Sequence, residues 1–203
     1  MLSPLRAISR FAIKCLPVVL MAAGSWPAAS AAAGPGLHKK VYLLRGLTNV
    51  LSPGIDQLNE DLQRRNIDVT IANHAFSESL ASEAIEGCKS GRIGSIVLVG
   101  HSLGASAAVS IAEHLQQAGL HVALIVTLDP VVKTVVPDNV HRLRNFYLSS
   151  GVGTTVERSG HFRGMLQNVD MGKTDYGHVS LTTAPVIQSQ IMRNILAANS
   201  SCR

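Results

Sequence analysis

The chain has 203 residues, of which 18 are Lys or Arg and 13 are Asp or Glu, so its formal net charge is +5 at pH 7. A chain of this length suits one globular domain with a sizeable hydrophobic core. The positive excess is small and is not concentrated in a basic patch, which argues against a nucleic-acid-binding function.

The first 33 residues have the pattern of a secretory signal peptide. Arg6, Arg10 and Lys14 make a basic start without any acidic residue, residues 15–23 are apolar, and residues 28–33 are small. This order of basic, apolar and small-residue parts is typical of an exported chain. The apolar stretch is shorter than the roughly 20 residues that a membrane-spanning helix needs. We therefore expect the segment to be cleaved rather than kept as an anchor.

Cleavage after Ala33, or at the alternative site after Ala31, leaves one domain over residues 34–203 in a secreted or periplasmic location. Without the three basic residues of the signal peptide, this domain has 15 basic and 13 acidic side chains and a net charge of +2. Two cysteines remain, which are too few for a cysteine-ligated metal site. We expect no metal, no other cofactor and no membrane span in the mature protein.

Strands and helices alternate along this domain. Apolar, β-branched runs predict buried strands, and apolar residues at helical spacing predict helices. The predicted strands cover residues 40–44, 67–72, 95–99, 121–128 and 143–149. The predicted helices cover residues 52–65, 77–88 (with Ser77 as its cap), 103–117 and 183–198. Residues 151–177 are glycine-rich and predict irregular structure with at most one short hairpin. The order indicates an α/β fold, with a sheet of about five mainly parallel strands and helices on both faces.

The third predicted strand leads directly into the sequence G-H-S-L-G, Gly100 to Gly104, and then into a helix. So short a turn from strand to helix forces its central residue, Ser102, into a strained backbone conformation. The flanking glycines remove Cβ atoms that would collide there. The pattern predicts a nucleophile elbow with the Ser102 hydroxyl held at the carboxyl end of the strand. The alternative is a plain turn made of small residues.

A nucleophilic serine needs a base that takes its proton and an acid that orients the base. Asp129 directly follows the next predicted strand, so parallel topology puts it on the same rim of the sheet as Ser102. Its alternative interpretation is an ordinary turn residue before a proline. Asp170 and Asp175 are rivals because they share a loop with the candidate base, and Asp138 is a weaker rival.

Among eight histidines, His178 is the best candidate for the base. It lies after the last predicted strand and before the last helix, so its loop returns to the rim. His161 is the main rival, since it lies in the same irregular segment. His101 is expected to point into the packing of the elbow, and His74 is a candidate for the lining of the pocket.

These residues resemble the α/β-hydrolase superfamily. Ser102, Asp129 and His178 follow the order Ser, Asp, His of that fold. G-H-S-L-G-A at residues 100–105 is similar to lipases, esterases and thioesterases, and T-L-D-P-V at residues 127–131 is similar to the acid segment of lipases related to pancreatic lipase. The resemblance covers about residues 38–198 and implies a small α/β-hydrolase fold.

The resemblance also implies an oxyanion site made of two backbone N–H groups. One is that of Leu103, directly after the nucleophile, and the other comes from the loop after the first strand. Many members of the superfamily have His-Gly there, whereas this chain has Arg45-Gly46, which makes Leu47 the second donor. Arg45 is a departure from the family pattern.

The sequence thus predicts a secreted or periplasmic serine hydrolase that cleaves a small-molecule or lipid carboxylic ester through an acyl-enzyme. One alternative is a thioesterase or amidase with the same triad. Another is a binding protein that has kept the fold and lost the activity. The sequence leaves the oligomeric state and the acyl-chain length open.

Cys88 and Cys202 have two interpretations. The predicted helices that end near them both start at the rim and finish at the opposite end of the sheet, which allows a disulfide in an oxidising compartment. Alternatively, Cys88 is a small buried residue and Cys202 belongs to a frayed tail.

Overall fold

The computed structural model describes residues 38–47 and 52–203, so the predicted signal peptide lies outside the described residues. Within these ranges the chain forms eight strands, four α-helices and two short 3₁₀ helices. The strands are β1 (Lys39–Arg45), β2 (Asp68–Asn73), β3 (Ser95–His101), β4 (Leu124–Leu128), β5 (Thr134–Val136), β6 (Arg142–Tyr147), β7 (Val156–Arg158) and β8 (Met165–Asp170). The α-helices are α1 (Pro53–Gln63), α2 (Ser77–Ser90), α3 (Leu103–Gln117) and α4 (Pro185–Ala197), and the 3₁₀ helices cover His74–Phe76 and Ser180–Thr183.

Six strands form the main sheet in the order β2-β1-β3-β4-β6-β8, and all neighbouring pairs are parallel. β5 and β7 form a separate parallel pair. β3 lies inside the sheet and is buried along its whole length. Because the strands run in one direction, their carboxyl ends share one rim, where open α/β sheets bind their ligands.

Helices cover both faces of the sheet, as the sequence predicted. Leu43 and Val99 pack with residues of α1 and α4 on one face, while Leu44 and Leu98 pack with α2 and α3 on the other. Ile191 of α4 is fully buried against the sheet, and burying such a side chain stabilises the fold by roughly 1.5–3 kcal/mol. Among the described residues, no helix is long and apolar enough to cross a bilayer.

The segment of residues 151–177 differs from the prediction. It contains β7, which pairs in parallel with β5, and β8, which pairs in parallel with β6 at the edge of the main sheet. The segment is therefore less irregular than predicted, its two strands form no hairpin, and the main sheet has six strands where about five were predicted. β8 is an edge strand, and Met165 at its start is 62% exposed. A strand that buries so few side chains lacks the apolar run that indicates a strand in the sequence.

The other boundaries agree to within a few residues, and α3 agrees at both ends. β4 begins at Leu124, three residues later than predicted. The prediction of Ser77 as a helix cap is wrong. Asn73 Oδ1 accepts a hydrogen bond from the Ala75 amide and starts a 3₁₀ turn that runs directly into α2, whose N-cap position holds Phe76.

Cys88 and Cys202 form a disulfide with their Cα atoms 6.2 Å apart. The tail after α4 crosses the amino ends of the strands, because Cys202 donates its amide to the Gly94 carbonyl and accepts from the His121 amide, each at 3.0 Å. The tail thereby reaches α2 on the opposite face from α4. The disulfide interpretation of the two cysteines is confirmed.

Candidate active site

Ser102 lies alone between the last residue of β3 and the first residue of α3, with φ 57° and ψ −122°. A non-glycine residue in this region costs about 1–3 kcal/mol and persists only where its surroundings enforce it. A Cβ on Gly100 would overlap the Gly104 carbonyl, and a Cβ on Gly104 would overlap the Leu44 carbonyl. The two glycines therefore permit the tight turn that the sequence predicted at Ser102.

Leu103 is the first residue of α3. Its N–H is among the amide groups that have no partner within a helix, because the first four N–H groups find no carbonyl one turn earlier. The positive end of the helix dipole adds to the attraction for negative charge at this point.

The loop after β1 passes directly against Ser102. A Cβ on Gly46 would lie 3.1 Å from the Cβ of Ser102. The Gly46 carbonyl accepts hydrogen bonds from Asn73 Nδ2 and His74 Nδ1, both at 3.0 Å. In a trans peptide the carbonyl and the following N–H point in opposite directions. The two side chains that hold the Gly46 carbonyl therefore also fix the direction of the Leu47 N–H.

Arg45 occupies the position at which this chain departs from the family pattern. Its Nε donates to Asp56 Oδ1 at 3.0 Å, and its Nη2 is paired with the same carboxylate in the first turn of α1. The guanidinium thus ties the loop after β1 to α1. The candidate oxyanion donors are backbone groups and do not depend on this side chain.

Asp129 follows β4 with φ 46°, and its side chain is completely buried. Oδ1 accepts the Leu148 amide at 2.8 Å, and Oδ2 lies 2.7 Å from His178 Nδ1. Gly153 packs on the carboxylate so closely that a Cβ there would overlap Oδ1. Each carboxylate oxygen thus has a partner, and one partner is the histidine that the sequence favoured as the base.

The side chain of His178 is 31% exposed, so it faces both Asp129 and solvent. A carboxylate is an acceptor, so Nδ1 carries the hydrogen and the neutral ring keeps its free electron pair on Nε2. Among the described residues the Ser102 hydroxyl has no hydrogen bond. In ligand-free enzymes, hydrogen bonds between catalytic side chains are often long and shorten only when substrate binds.

The rival acids have other contacts. Asp170 accepts the amides of Gly172 and Ser149 at 2.8 and 3.2 Å, and the bond from Gly172 is the main reason why its pKa is lowered. Asp138 pairs with the hydroxyl of Ser159. Within the described part of the chain, the carboxylate that hydrogen-bonds His178 is that of Asp129.

The remaining candidates from the sequence lie apart from this hydrogen bond. Asp175 is exposed in the loop before His178, and His161 is exposed in a turn between β7 and β8. His74 holds the Gly46 carbonyl, which is more specific than the pocket-lining position expected for it. No cluster of three metal-ligating side chains occurs among the described residues.

His101 is 1% exposed and makes two hydrogen bonds within the site. Its Nδ1 lies 2.8 Å from Ser52 Oγ, and its Nε2 lies 3.0 Å from the backbone oxygen of His178. Burial, with a smaller contribution from His178, lowers the pKa of His101 to about 4. Sequence reasoning expected the buried ring but missed Ser52, which was interpreted only as the start of α1.

Gly153 is another residue of the site that sequence reasoning missed. In the sequence, Gly153 is one of several glycines in a glycine-rich segment, and this pattern does not indicate that it contacts Asp129. The loop is held by Asn145 of β6, whose Nδ2 donates to the Thr154 carbonyl at 2.9 Å and to Asn168 Oδ1 of β8 at 2.9 Å. The fold of this loop thus depends on β8, the strand that the sequence did not predict.

Comparison with known proteins adds the class of fold. The chain matches no family model and no curated protein. It is similar to the solved structure of a cutinase-like protein from Cryptococcus sp., with a TM-score of 0.51, 16% identity, and coverage of 83% of this chain and 100% of that one. A Xanthomonas campestris protein, described as a candidate hydrolase of the alpha/beta superfamily, gives a TM-score of 0.42 at 13% identity over 77% of this chain and 95% of that one.

An uncharacterised protein from Bacillus cereus gives a TM-score of 0.47 at 12% identity, with coverage of 83% of this chain and 63% of that one. At these identities the likeness concerns the fold. With its parallel sheet and its helices on both faces, the protein has an α/β fold similar to that of the cutinase-like protein.

Proposed function

We propose that this protein is an exported serine hydrolase that cleaves carboxylic esters. The observation that carries the proposal is the 2.7 Å hydrogen bond between His178 Nδ1 and the fully buried Asp129, at the rim where Ser102 stands between β3 and α3. A buried carboxylate that orients a partly exposed histidine, at the same rim of the sheet as a strained serine, is the kind of arrangement that activates a hydroxyl nucleophile.

In the proposed reaction Ser102 Oγ attacks the ester carbonyl while His178 Nε2 takes its proton. Asp129 keeps the proton on Nδ1 and stabilises the imidazolium that forms. The N–H groups of Leu47 and Leu103 bind the negatively charged oxygen of the tetrahedral intermediate. His178 then protonates the leaving alcohol. Water, deprotonated by the same histidine, then attacks the acyl-enzyme, and His178 returns the proton to Ser102 Oγ as the carboxylic acid leaves.

Export is part of the proposal. The signal-peptide pattern of residues 1–33 supports it, and so does the Cys88–Cys202 disulfide, because such bonds persist in oxidising compartments. A secreted or periplasmic enzyme meets few coenzyme A thioesters, which favours an oxygen ester as the substrate. We propose a small-molecule or lipid ester and no nucleic-acid partner.

A fluorophosphonate probe tests the nucleophile, because it phosphonylates a serine only where a base activates it. We expect the mature protein to be labelled at Ser102 and Ser102→Ala to be unlabelled. Ser110→Ala removes a serine two turns further along α3 and is the matched control, which should label as the wild type does. A folded wild type that is neither labelled nor able to hydrolyse short acyl esters would favour the inactive binding protein.

The choice between ester, thioester and amide needs a second measurement, since all three pass through the same acyl-enzyme. Matched substrates with one acyl group and three leaving groups give the comparison. We expect the largest kcat/KM for the oxygen ester. A larger value for the thioester would move the proposal to a thioesterase without changing the triad.

A further inference from the structure

A chain of hydrogen bonds connects three separate segments next to Ser102. The Gly46 amide faces Ser52 Oγ at 3.5 Å, and Ser52 Oγ lies 2.8 Å from His101 Nδ1. His101 Nε2 then lies 3.0 Å from the backbone oxygen of His178. Ser52 is fully buried and His101 is 1% exposed, so water does not compete for these bonds. The chain joins the loop after β1, the start of α1 and the loop before α4.

The directions of these bonds follow from the chemistry of the partners. A carbonyl oxygen only accepts, so His101 Nε2 carries a hydrogen and donates it to His178. Burial keeps the ring neutral at ordinary pH, since the pKa of His101 is lowered to about 4. Nδ1 therefore has a free electron pair and accepts the Ser52 hydroxyl, and Ser52 Oγ accepts the Gly46 N–H. Each donor thus has one acceptor along the chain.

We propose that His101, as the neutral Nε2–H imidazole, is a positioning residue that sets the distance between the loop carrying Leu47 and the loop carrying His178. The inference rests on the proposed function, because it gives these loops the oxyanion donor and the base. His101 itself touches neither the substrate nor the reacting atoms.

The shape and charge of imidazole explain why this position holds a histidine. The rigid ring presents an acceptor and a donor on different sides, so it spans two fixed partners. Its centroid lies 4.6 Å from that of His178. His178 becomes positively charged when it takes the proton of Ser102, and a charged neighbour at this distance would oppose that step. A neutral ring connects the loops without this cost.

Two substitutions separate the two hydrogen bonds. The amide of His101→Asn reaches about as far as Nδ1 and keeps the contact with Ser52, whereas that of His101→Gln reaches about as far as Nε2 and keeps the contact with His178. Ser52→Ala removes the connection to Gly46. His114→Gln is the matched control, because His114 also bonds a carbonyl, that of Ser110, but lies in the last turn of α3.

We expect each His101 variant and Ser52→Ala to lower kcat for a p-nitrophenyl ester by roughly 10- to 100-fold, as small displacements of reacting groups do. KM should change little, because these residues do not contact the substrate. Combining Ser52→Ala with His101→Gln should cost less than the two separate effects multiplied, since both break one chain. His114→Gln should match the wild type. Folded variants with wild-type kcat would overturn the inference.

Nitrogen NMR of ¹⁵N-histidine-labelled protein gives a test that does not need activity. We expect His101 to be the Nε2–H tautomer at neutral pH, and we expect Ser52→Ala to shift its Nδ1 resonance while leaving His114 unchanged. A His101 found as the Nδ1–H tautomer or as imidazolium would refute the proposal, even if a His101 variant failed to fold. A wild type that lacks esterase activity yet shows the expected tautomer would refute the proposed function and leave the hydrogen-bond chain intact.

Discussion

Gly153 lies against the carboxylate of Asp129, where a single Cβ would overlap Oδ1. The contact closes the buried side of the acid, while Leu148 and His178 bond its two oxygens. A side chain at this position has to displace either the loop or the carboxylate. The orientation of Asp129 therefore depends on a residue that carries no functional group.

Gly153→Ala is expected to lower both stability and activity. Overpacking of this kind costs about 1–3 kcal/mol, and a displaced Asp129 should reduce kcat by roughly 100-fold. Gly151→Ala is the matched control in the same loop, because a Cβ there would lie 3.8 Å from the Cβ of Leu148, an ordinary contact. Urea denaturation and ester hydrolysis of both variants measure the difference. Equal stability and equal kcat of the two variants would contradict the prediction, because they would show that the loop can shift to accept a Cβ without moving Asp129.

Asp129→Asn is expected to abolish most activity while the protein stays folded. An amide at this position favours the wrong tautomer of His178, and the precedent in serine proteases is a loss of roughly 10⁴ in kcat. Asp170→Asn should stay near the wild type, because that carboxylate is exposed and accepts the amides of Ser149 and Gly172. If kcat were lost in Asp170→Asn and kept in Asp129→Asn, Asp170 would be the triad acid instead.

Replacing both Cys88 and Cys202 by serine should lower the free energy of unfolding by about 2–4 kcal/mol, since the bond closes a long loop of the unfolded chain. The two cysteines are 114 residues apart. Activity of the folded variant should be retained, because Cys202 bonds Gly94 just before β3 whereas Ser102 follows its other end. Reductant should destabilise the wild type and leave the double variant unchanged. Equal urea midpoints for wild type and double variant would contradict the prediction.

Acid should destabilise the protein partly through His101. Its pKa of about 4 lies below the ordinary value of 6.5, so the unfolded chain binds a proton in this interval that the folded protein does not. Neutral His101 therefore contributes its full share of the free energy of unfolding above about pH 6.5. As the pH drops toward 4, the free energy of unfolding decreases by up to about 3 kcal/mol on account of this residue. The titratable groups that face His101 are His178 and Asp129. The electrostatic effect of His178 lowers the pKa of His101 further, whereas that of Asp129 raises it.

Urea denaturation of wild type and His101→Gln between pH 7 and pH 4 isolates this contribution. Glutamine does not titrate, so the variant should lose less stability over the interval, whatever its stability at pH 7. Parallel curves for the two proteins would mean that His101 is not the group that takes up the proton.

Local patterns in the sequence determined the α/β class, the extent of α3 and the tight turn at Ser102. Each is a short-range property: a β-branched apolar run makes a buried strand, helical spacing makes a covering helix, and Gly100 and Gly104 leave room for one strained residue between them. The position of Asp129 at the rim also followed, because a residue directly after a parallel strand has to lie there.

Tertiary structure decided the contacts between distant segments. The sequence favoured Asp129 as the partner of His178 but left Asp170 and Asp175 as rivals, and the hydrogen bond between His178 and Asp129 joins residues that are 49 positions apart. The Leu148 amide and Gly153, also distant in sequence, hold the carboxylate of Asp129. The sequence did not predict β8, because an edge strand buries few side chains and therefore needs few apolar residues. The Ser52–His101 bond and the pairing of Cys88 with Cys202 leave no local signal at all, because each exists only once the sheet has brought the two residues together.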